Sequence, residues 1–296
     1  MLASVAACQP GSPMRGLLQL LWGYRYSHGV VYRAVEGWNG KLDVLRPRAA
    51  GPARPALIAV HGGGFVGGSK ERFLPFLLPF AAEDWVLVTV GYRLAGVAPA
   101  PAAVEDVRCA LRWLAAHADA YGIDPERLVV AGYSAGGHLA LMAAFLPDSA
   151  LVAGNCPGPT VQPAAVFNWA GITDLEEAVR HPRRAPGPDR WVGGRTDALE
   201  YARQLSPLRW VQPTVPPVVT VHGEADASVP HHHAVRLHAA LAAAGVRNEL
   251  VSIPGGGHAY RTAASRAAVE RVVRFLRPLV QEGPADAELA RPTADR

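Results

Sequence analysis

Apolar runs of strand length recur along this chain at 56–60, 85–90, 128–131, 164–169, 218–221 and 249–253, with longer stretches of helical period between them. A strand that is apolar on both faces must be covered on both faces, which is the condition of a parallel strand flanked by helices. The intervening segments supply such helices. Over 102–121, Val104, Val107, Leu111 and Leu114 share one side, and 135–146, 233–244 and 263–280 carry similar stripes, the 233–244 stretch stopping at Gly245. Strands alternating with helices predict an α/β fold with a mostly parallel central sheet of about eight strands. Ahead of it, 30–35 and 41–45 flank the turn Gly37-Trp38-Asn39-Gly40 and read as an antiparallel hairpin at a sheet edge.

The organisation that follows is a loosely ordered leader over 1–28 with a short apolar helix at 17–22, one large α/β domain over 29–281, and a polar, aperiodic tail over 282–296. Two segments, 147–163 and 181–195, break the rhythm and read as long loops or a small cap over the strand ends. The net charge of +4 comes from arginines spaced singly along the chain, without the basic stripe and aromatic platform of nucleic-acid binding. No apolar run is long enough to span a bilayer. The three cysteines, Cys8, Cys109 and Cys156, form no C-x-x-C pair or disulfide-like spacing. Cys109 therefore reads as a small buried hydrophobe and Cys156 as a loop residue. Val5-Ala6-Ala7-Cys8 resembles a bacterial lipobox, whose cysteine carries a lipid anchor. The preceding apolar stretch is short for a signal core and lacks a basic start, so an envelope location through Cys8 and a cytoplasmic one both stay open.

The chemistry centres on Gly132-Tyr133-Ser134-Ala135-Gly136, a G-x-S-x-G pattern placed directly between a strand and a helix. A serine hydroxyl attacks a carbonyl only when a base takes its proton and a sharp turn exposes it, and this context meets the second condition. Just after an earlier strand, His61-Gly62-Gly63-Gly64 leaves backbone N–H groups uncovered. Gly63 and Gly64, with the N–H of Ala135 at its helix start, are assigned as the donors of an oxyanion hole. A phosphate cradle would require a closing Lys-Ser or Lys-Thr pair, and Ser69-Lys70 runs in the opposite order.

Eleven histidines compete for the role of base. His258 follows a strand through Pro254-Gly255-Gly256-Gly257, a loop at a strand's carboxyl end from which an imidazole can reach Ser134. His61 and His222 end strands and are expected to brace loops, and His138 to pack within its helix. His231, His232 and His233 read as a solvated helix start rather than a metal site. For the acid that orients the base, Asp226 sits in a tight loop after a strand, with Glu224 and Asp174 as rivals. Asp174 doubles as a helix cap. No metal-ligand spacing and no dinucleotide fingerprint occurs, so no cofactor is expected.

In order, His61-Gly62-Gly63-Gly64, Gly91-Tyr92-Arg93-Leu94, Tyr121-Gly122-Ile123-Asp124-Pro125, Gly132-Tyr133-Ser134-Ala135-Gly136-Gly137-His138 and His222-Gly223-Glu224-Ala225-Asp226 resemble α/β-hydrolase esterases of the hormone-sensitive-lipase type. The likeness is greatest to the bacterial group similar to bifunctional feruloyl and acetylxylan esterases, and it runs over about 30–279. It implies a serine esterase with Ser134 as nucleophile, His258 as base and Asp226 as acid. Two departures stand out: Ala95-Gly96-Val97 where the group often has Ala-Pro-Glu, and Glu224 in place of an Asp in the acid loop. The expected substrate is a small acyl or aryl ester, with Trp169, Trp191 and Trp210 near the site. Amide hydrolysis of the arylformamidase kind and an inert binding protein on the same fold are the alternatives.

Overall fold

The computed structural model describes residues 22–147, 152, 156–181, 187–258 and 263–281. The helix expected at 17–22, the Cys8 lipobox and the 282–296 tail lie outside the described residues, apart from Trp22 itself. Eight strands form one sheet: β1 (Tyr24–Val35), β2 (Trp38–Pro47), β3 (Arg54–Val60), β4 (Val86–Val90), β5 (Ile123–Tyr133), β6 (Ala165–Trp169), β7 (Val218–Gly223) and β8 (Asn248–Ile253). Their spatial order is β1-β2-β4-β3-β5-β6-β7-β8. β2 runs antiparallel to β1 and β4, and the pairings from β4 to β8 are parallel.

Alternation along each strand divides the core in two. In β3, Ala56, Ile58 and Val60 pack on one face with Val107 and Leu111 of α1 (Ala102–Ala116) and Leu139 of α2 (Ala135–Phe145). Leu57 and Ala59 point to the other face, against Phe76, Phe80, Val272 and Leu276. Every residue from Ala56 to Val60 is fully buried, so the unbroken apolar run has the two-sided cover that it requires.

Between β6 and β7 the described residues include three short α-helices, α3 (Leu175–Arg180), α4 (Pro188–Val192) and α5 (Ala198–Gln204), and a 3-10 turn, Pro207–Trp210. Helices α6 (His232–Ala243) and α7 (Ala263–Gln281) and the helical segment 70–83, which carries Phe76 and Phe80, also cover the sheet. The stretch 181–195, read as a loop or cap, thus contains α4, whose Trp191 is fully buried and stacks on Phe65. Its Pro/Gly-rich composition hides a single turn that tertiary packing holds.

Four expectations are corrected. The first strand starts at Tyr24, inside the segment assigned to the leader, because the Tyr24 hydroxyl donates to the carbonyls of Ala81 and Trp85. Register shifts between Ser27 and Val30 and between Val31 and Arg33, with Gly29 at φ 65°, break the two-residue period that would have marked it. The helix expected over 102–121 ends at Ala116, where the His117 ring nitrogen Nδ1 takes up the Trp113 carbonyl, and a separate turn, Ala118–Tyr121, follows. Cys109 and Cys156 form a disulfide. Forty-seven residues separate the pair, with β5 and α2 between them, so linear spacing carried no sign of it. The tryptophans also do not gather at the site: Trp169 and Trp191 are core residues, and Trp210 spends its indole N–H on the Gln204 carbonyl.

Candidate active site

The parallel strands end on one side of the sheet, and the candidate residues converge there. β5 passes into α2 through Ser134, which takes φ 56° and ψ −122°, a conformation rare for a residue with a side chain. Close packing enforces the turn. A Cβ on Gly136 would lie 2.1 Å from the Val60 carbonyl oxygen, and one on Gly132 would lie 2.1 Å from that of Gly136. The serine is thereby raised at the strand end while its N–H donates to the Trp169 carbonyl.

His258 follows β8 and Asp226 follows β7, and the three side chains meet. Ser134 Oγ lies 2.9 Å from His258 Nε2, and His258 Nδ1 lies 2.6 Å from Asp226 Oδ2. An ionised carboxylate only accepts, so Nδ1 carries the imidazole proton and Nε2 is the free acceptor for the serine hydroxyl. The other carboxylate oxygen accepts the N–H groups of Ser228 and Val229 at 2.8 and 2.9 Å. Burial alone would raise the Asp226 carboxyl. Hydrogen bonds from His222, His258 and the Val229 N–H outweigh it and hold the group well below the usual carboxylate range. Asp226 is thus a fixed anion under an imidazole whose side chain is 23% exposed.

The glycine segment after β3 faces the same space. Gly63 and Gly64 line a cavity of about 530 Å³ together with Ser134 and His258. Gly63 adopts φ 131°, and a Cβ there would collide with the Gly67 carbonyl at 2.1 Å, so the loop closes only with glycine. Among the described residues, the N–H groups of Gly63, Gly64 and Ala135 donate to no protein acceptor. Free amides beside a serine hydroxyl are the arrangement that receives a developing oxyanion.

The remaining histidines take separate tasks. His61 stacks on Tyr92, and its Nδ1 bonds the Gly62 carbonyl. His222 Nε2 lies 2.8 Å from the Val229 carbonyl and 3.4 Å from Asp226 Oδ2, so its bond to the carbonyl holds the acid loop. His138 is buried against Phe65 and Trp191 and bonds the Ile172 carbonyl. The triple histidine divides. His231 bonds Ser252 and His232 bonds Glu177, whereas His233 is buried and lines the cavity, its Nδ1 accepting from the N–H groups of Thr173 and Asp174. Glu177, His232 and His233 each bring one donor atom within 4.8 Å of the others. Arg236 already neutralises Glu177, and the backbone N–H groups occupy the Nδ1 lone pair of His233. The group is therefore better suited to an ion-pair cluster than to a metal.

The rivals for the acid lie elsewhere. Asp174 caps α3 by accepting the Glu177 N–H and pairs with Arg236, and Glu224 is exposed on its loop. One contributor escaped the sequence reading: the Tyr133 hydroxyl donates to the His258 carbonyl at 2.6 Å, and the two rings lie 5.0 Å apart. Its only sequence signal was an aromatic residue at the variable position before the serine.

A mostly parallel sheet, a strained serine turn leading into a helix, and a histidine and an aspartate on the loops after later strands together define the α/β-hydrolase fold in its serine-hydrolase form. The chain belongs to the BD-FAE family, whose model matches residues 42–241. It is similar to Esterase LipQ of Mycobacterium tuberculosis, 31% identical over 251 residues, covering 81% of this chain and 59% of that protein. Esterase LipC of the same organism is 34% identical over 230 residues, covering 74% of this chain and 56% of that protein. The chain thus spans somewhat over half the length of these curated relatives. Among solved structures, the propionate-bound esterase Est2 of Thermogutta terrifontis matches with a TM-score of 0.72 at 26% identity, covering 93% of this chain and 98% of that one.

Proposed function

We propose that this protein is a serine carboxylic-ester hydrolase that acts on small acyl or aryl esters through an acyl-enzyme intermediate. The observation that carries this reading is the unbroken hydrogen-bonded line from the Ser134 hydroxyl through His258 to Asp226, beside the free amides of Gly63, Gly64 and Ala135. His258 Nε2 takes the hydroxyl proton as Ser134 Oγ bonds to the ester carbonyl carbon, and the carbonyl oxygen becomes an anion held by those amides. The ester C–O bond then breaks, His258 returns the proton to the departing alkoxide, and the acyl group remains on Ser134. A water molecule repeats the sequence and releases the acid.

The cavity supports a short acyl group. Val66, Ile172, Ala178, Val229 and Pro230 give it a largely apolar wall, and its volume of about 530 Å³ lies in the lower part of the range for small-molecule sites. The structural neighbour solved with propionate points the same way.

Ser134→Ala removes the attacking atom. It should reduce turnover of p-nitrophenyl acetate by at least about 10³-fold while leaving the circular dichroism spectrum unchanged. Turnover within a few-fold of the parent would remove Ser134 from the mechanism. A panel of p-nitrophenyl esters from acetate to palmitate should show kcat/KM highest at the short end, and a maximum at ten carbons or more would refute the short-acyl assignment.

A further inference from the structure

Arginines that look singly scattered in the sequence converge at the end of the sheet remote from the serine. Arg25 lies in β1, Arg46 at the end of β2, Arg48 just beyond it and Arg54 at the start of β3, and all four line one surface cavity of about 270 Å³. Tyr121, Gly122 and Val86 contribute to its wall. Strand direction separates it from the hydrolytic site: Arg54, Val86 and Ile123 open parallel strands whose opposite ends carry the glycine loop and Ser134. About 20 Å of strand lies between, the length of β3.

The charge here is not balanced internally. Among the described residues, no carboxylate lines the cavity. Asp84 pairs with Arg54 at 2.9 Å, Arg54 Nη2 also donates to the Ala49 carbonyl, and Arg46 donates to the Ala120 carbonyl. Among the described residues, the guanidinium groups of Arg25 and Arg48 have no hydrogen-bond or ion-pair partner. The backbone N–H groups of Ala49, Ala50 and Gly51, which line the same cavity, likewise donate to no protein acceptor. Two uncommitted guanidinium groups, the remaining donors of Arg46 and Arg54 and a run of free amides around a concave surface with a surplus of about three positive charges favour an anion with several acceptor oxygens. Phosphate fits this best, because guanidinium groups bind its oxygens in pairs.

The geometry points to a second binding site in this protein, a phosphate-anion pocket formed by Arg25, Arg46, Arg48 and Arg54 and independent of the ester-cleaving centre. The phosphate could belong to a soluble anion or to a lipid headgroup. Trp22 bears on the second source: it is 78% exposed, and the Gly23 carbonyl beside it accepts the Arg48 N–H. An exposed indole on the segment that leads into these arginines matches the chemistry of a membrane interface.

The test uses the full chain and the double variant Arg25→Ser/Arg48→Ser, which removes the two unpaired guanidinium groups and leaves the Arg54–Asp84 pair intact. Titration with inorganic phosphate at low ionic strength should show saturable one-to-one binding, weakened about tenfold or more in the variant. Both proteins should give the same circular dichroism spectrum and the same rate on p-nitrophenyl acetate. Co-sedimentation with phosphatidylglycerol-containing vesicles, exceeding that with pure phosphatidylcholine and lost in the variant, assigns the headgroup. Phosphate binding without vesicle binding assigns a soluble anion. Absence of saturable phosphate binding together with equal sedimentation on both vesicle types overturns the site. Binding that the double variant leaves undiminished overturns it as well.

Discussion

Tyr133 shows how a residue adjoining the proposed nucleophile can act through the base. Its hydroxyl donates to the His258 carbonyl, so the loop that presents the imidazole is tied to the strand that presents the serine. Tyr133→Phe removes one hydrogen bond to a partly buried carbonyl, a loss of about 1 kcal/mol. The expected result is a kcat lower by about five- to tenfold with KM nearly unchanged, because ring position and not substrate contact is disturbed. Steady-state kinetics on p-nitrophenyl acetate decide. A raised KM with kcat intact would show that the hydroxyl serves the substrate instead. Asp226→Asn is a sharper version of the same argument. The amide can donate to Nδ1 and so favour the wrong tautomer of His258, and kcat should fall by about 10³- to 10⁴-fold.

At the scale of elements, what could be read in the sequence was what local periodicity determines. β3, β4 and β6 are buried on both faces and announced themselves as apolar runs, interrupted by Thr89 in β4 and Asn168 in β6. The turn at Ser134 was legible because strand, glycine-flanked serine and helix are contiguous. The residues proposed for base and acid were narrowed by their place after later strands, although only coordinates could bring them together. Illegible were the features that depend on distant partners. These include the bulged start of β1, the α4 turn held by Trp191 against Phe65, and the bond between Cys109 in α1 and Cys156. That disulfide closes a loop of roughly fifty residues and should stabilise the fold by about 2–4 kcal/mol, mainly by restricting the unfolded chain. Cys109→Ala/Cys156→Ala should accordingly lower the urea midpoint without altering esterase kinetics. Thiol titration of the denatured, unreduced protein should find at most one free cysteine, Cys8, and three would contradict the bond.

For the whole molecule, the buried histidines couple folding to pH. His138 and His233 are held neutral: burial pushes both down to about 4, against an ordinary imidazole value of 6.5. Between pH 6.5 and 4 the unfolded chain therefore binds protons that the folded chain refuses, and the unfolded state gains relative to the folded one. Stability is complete above about pH 6.5 and is lost on the way down to pH 4, by roughly 3 kcal/mol for His138 and in the same direction for His233. Asp226 extends the loss further into acid. Its carboxyl is depressed in the fold, so its contribution is present above the ordinary carboxylate value and disappears only below it. Urea unfolding at pH 7.5, 6, 5 and 4.5 should show a stability that falls steadily across the series. His138→Gln keeps a donor for the Ile172 carbonyl and abolishes the titration, so its slope should be shallower by roughly the share of one histidine. Parallel slopes for parent and variant would mean that the acid sensitivity of this fold arises elsewhere than in the helix behind Ser134.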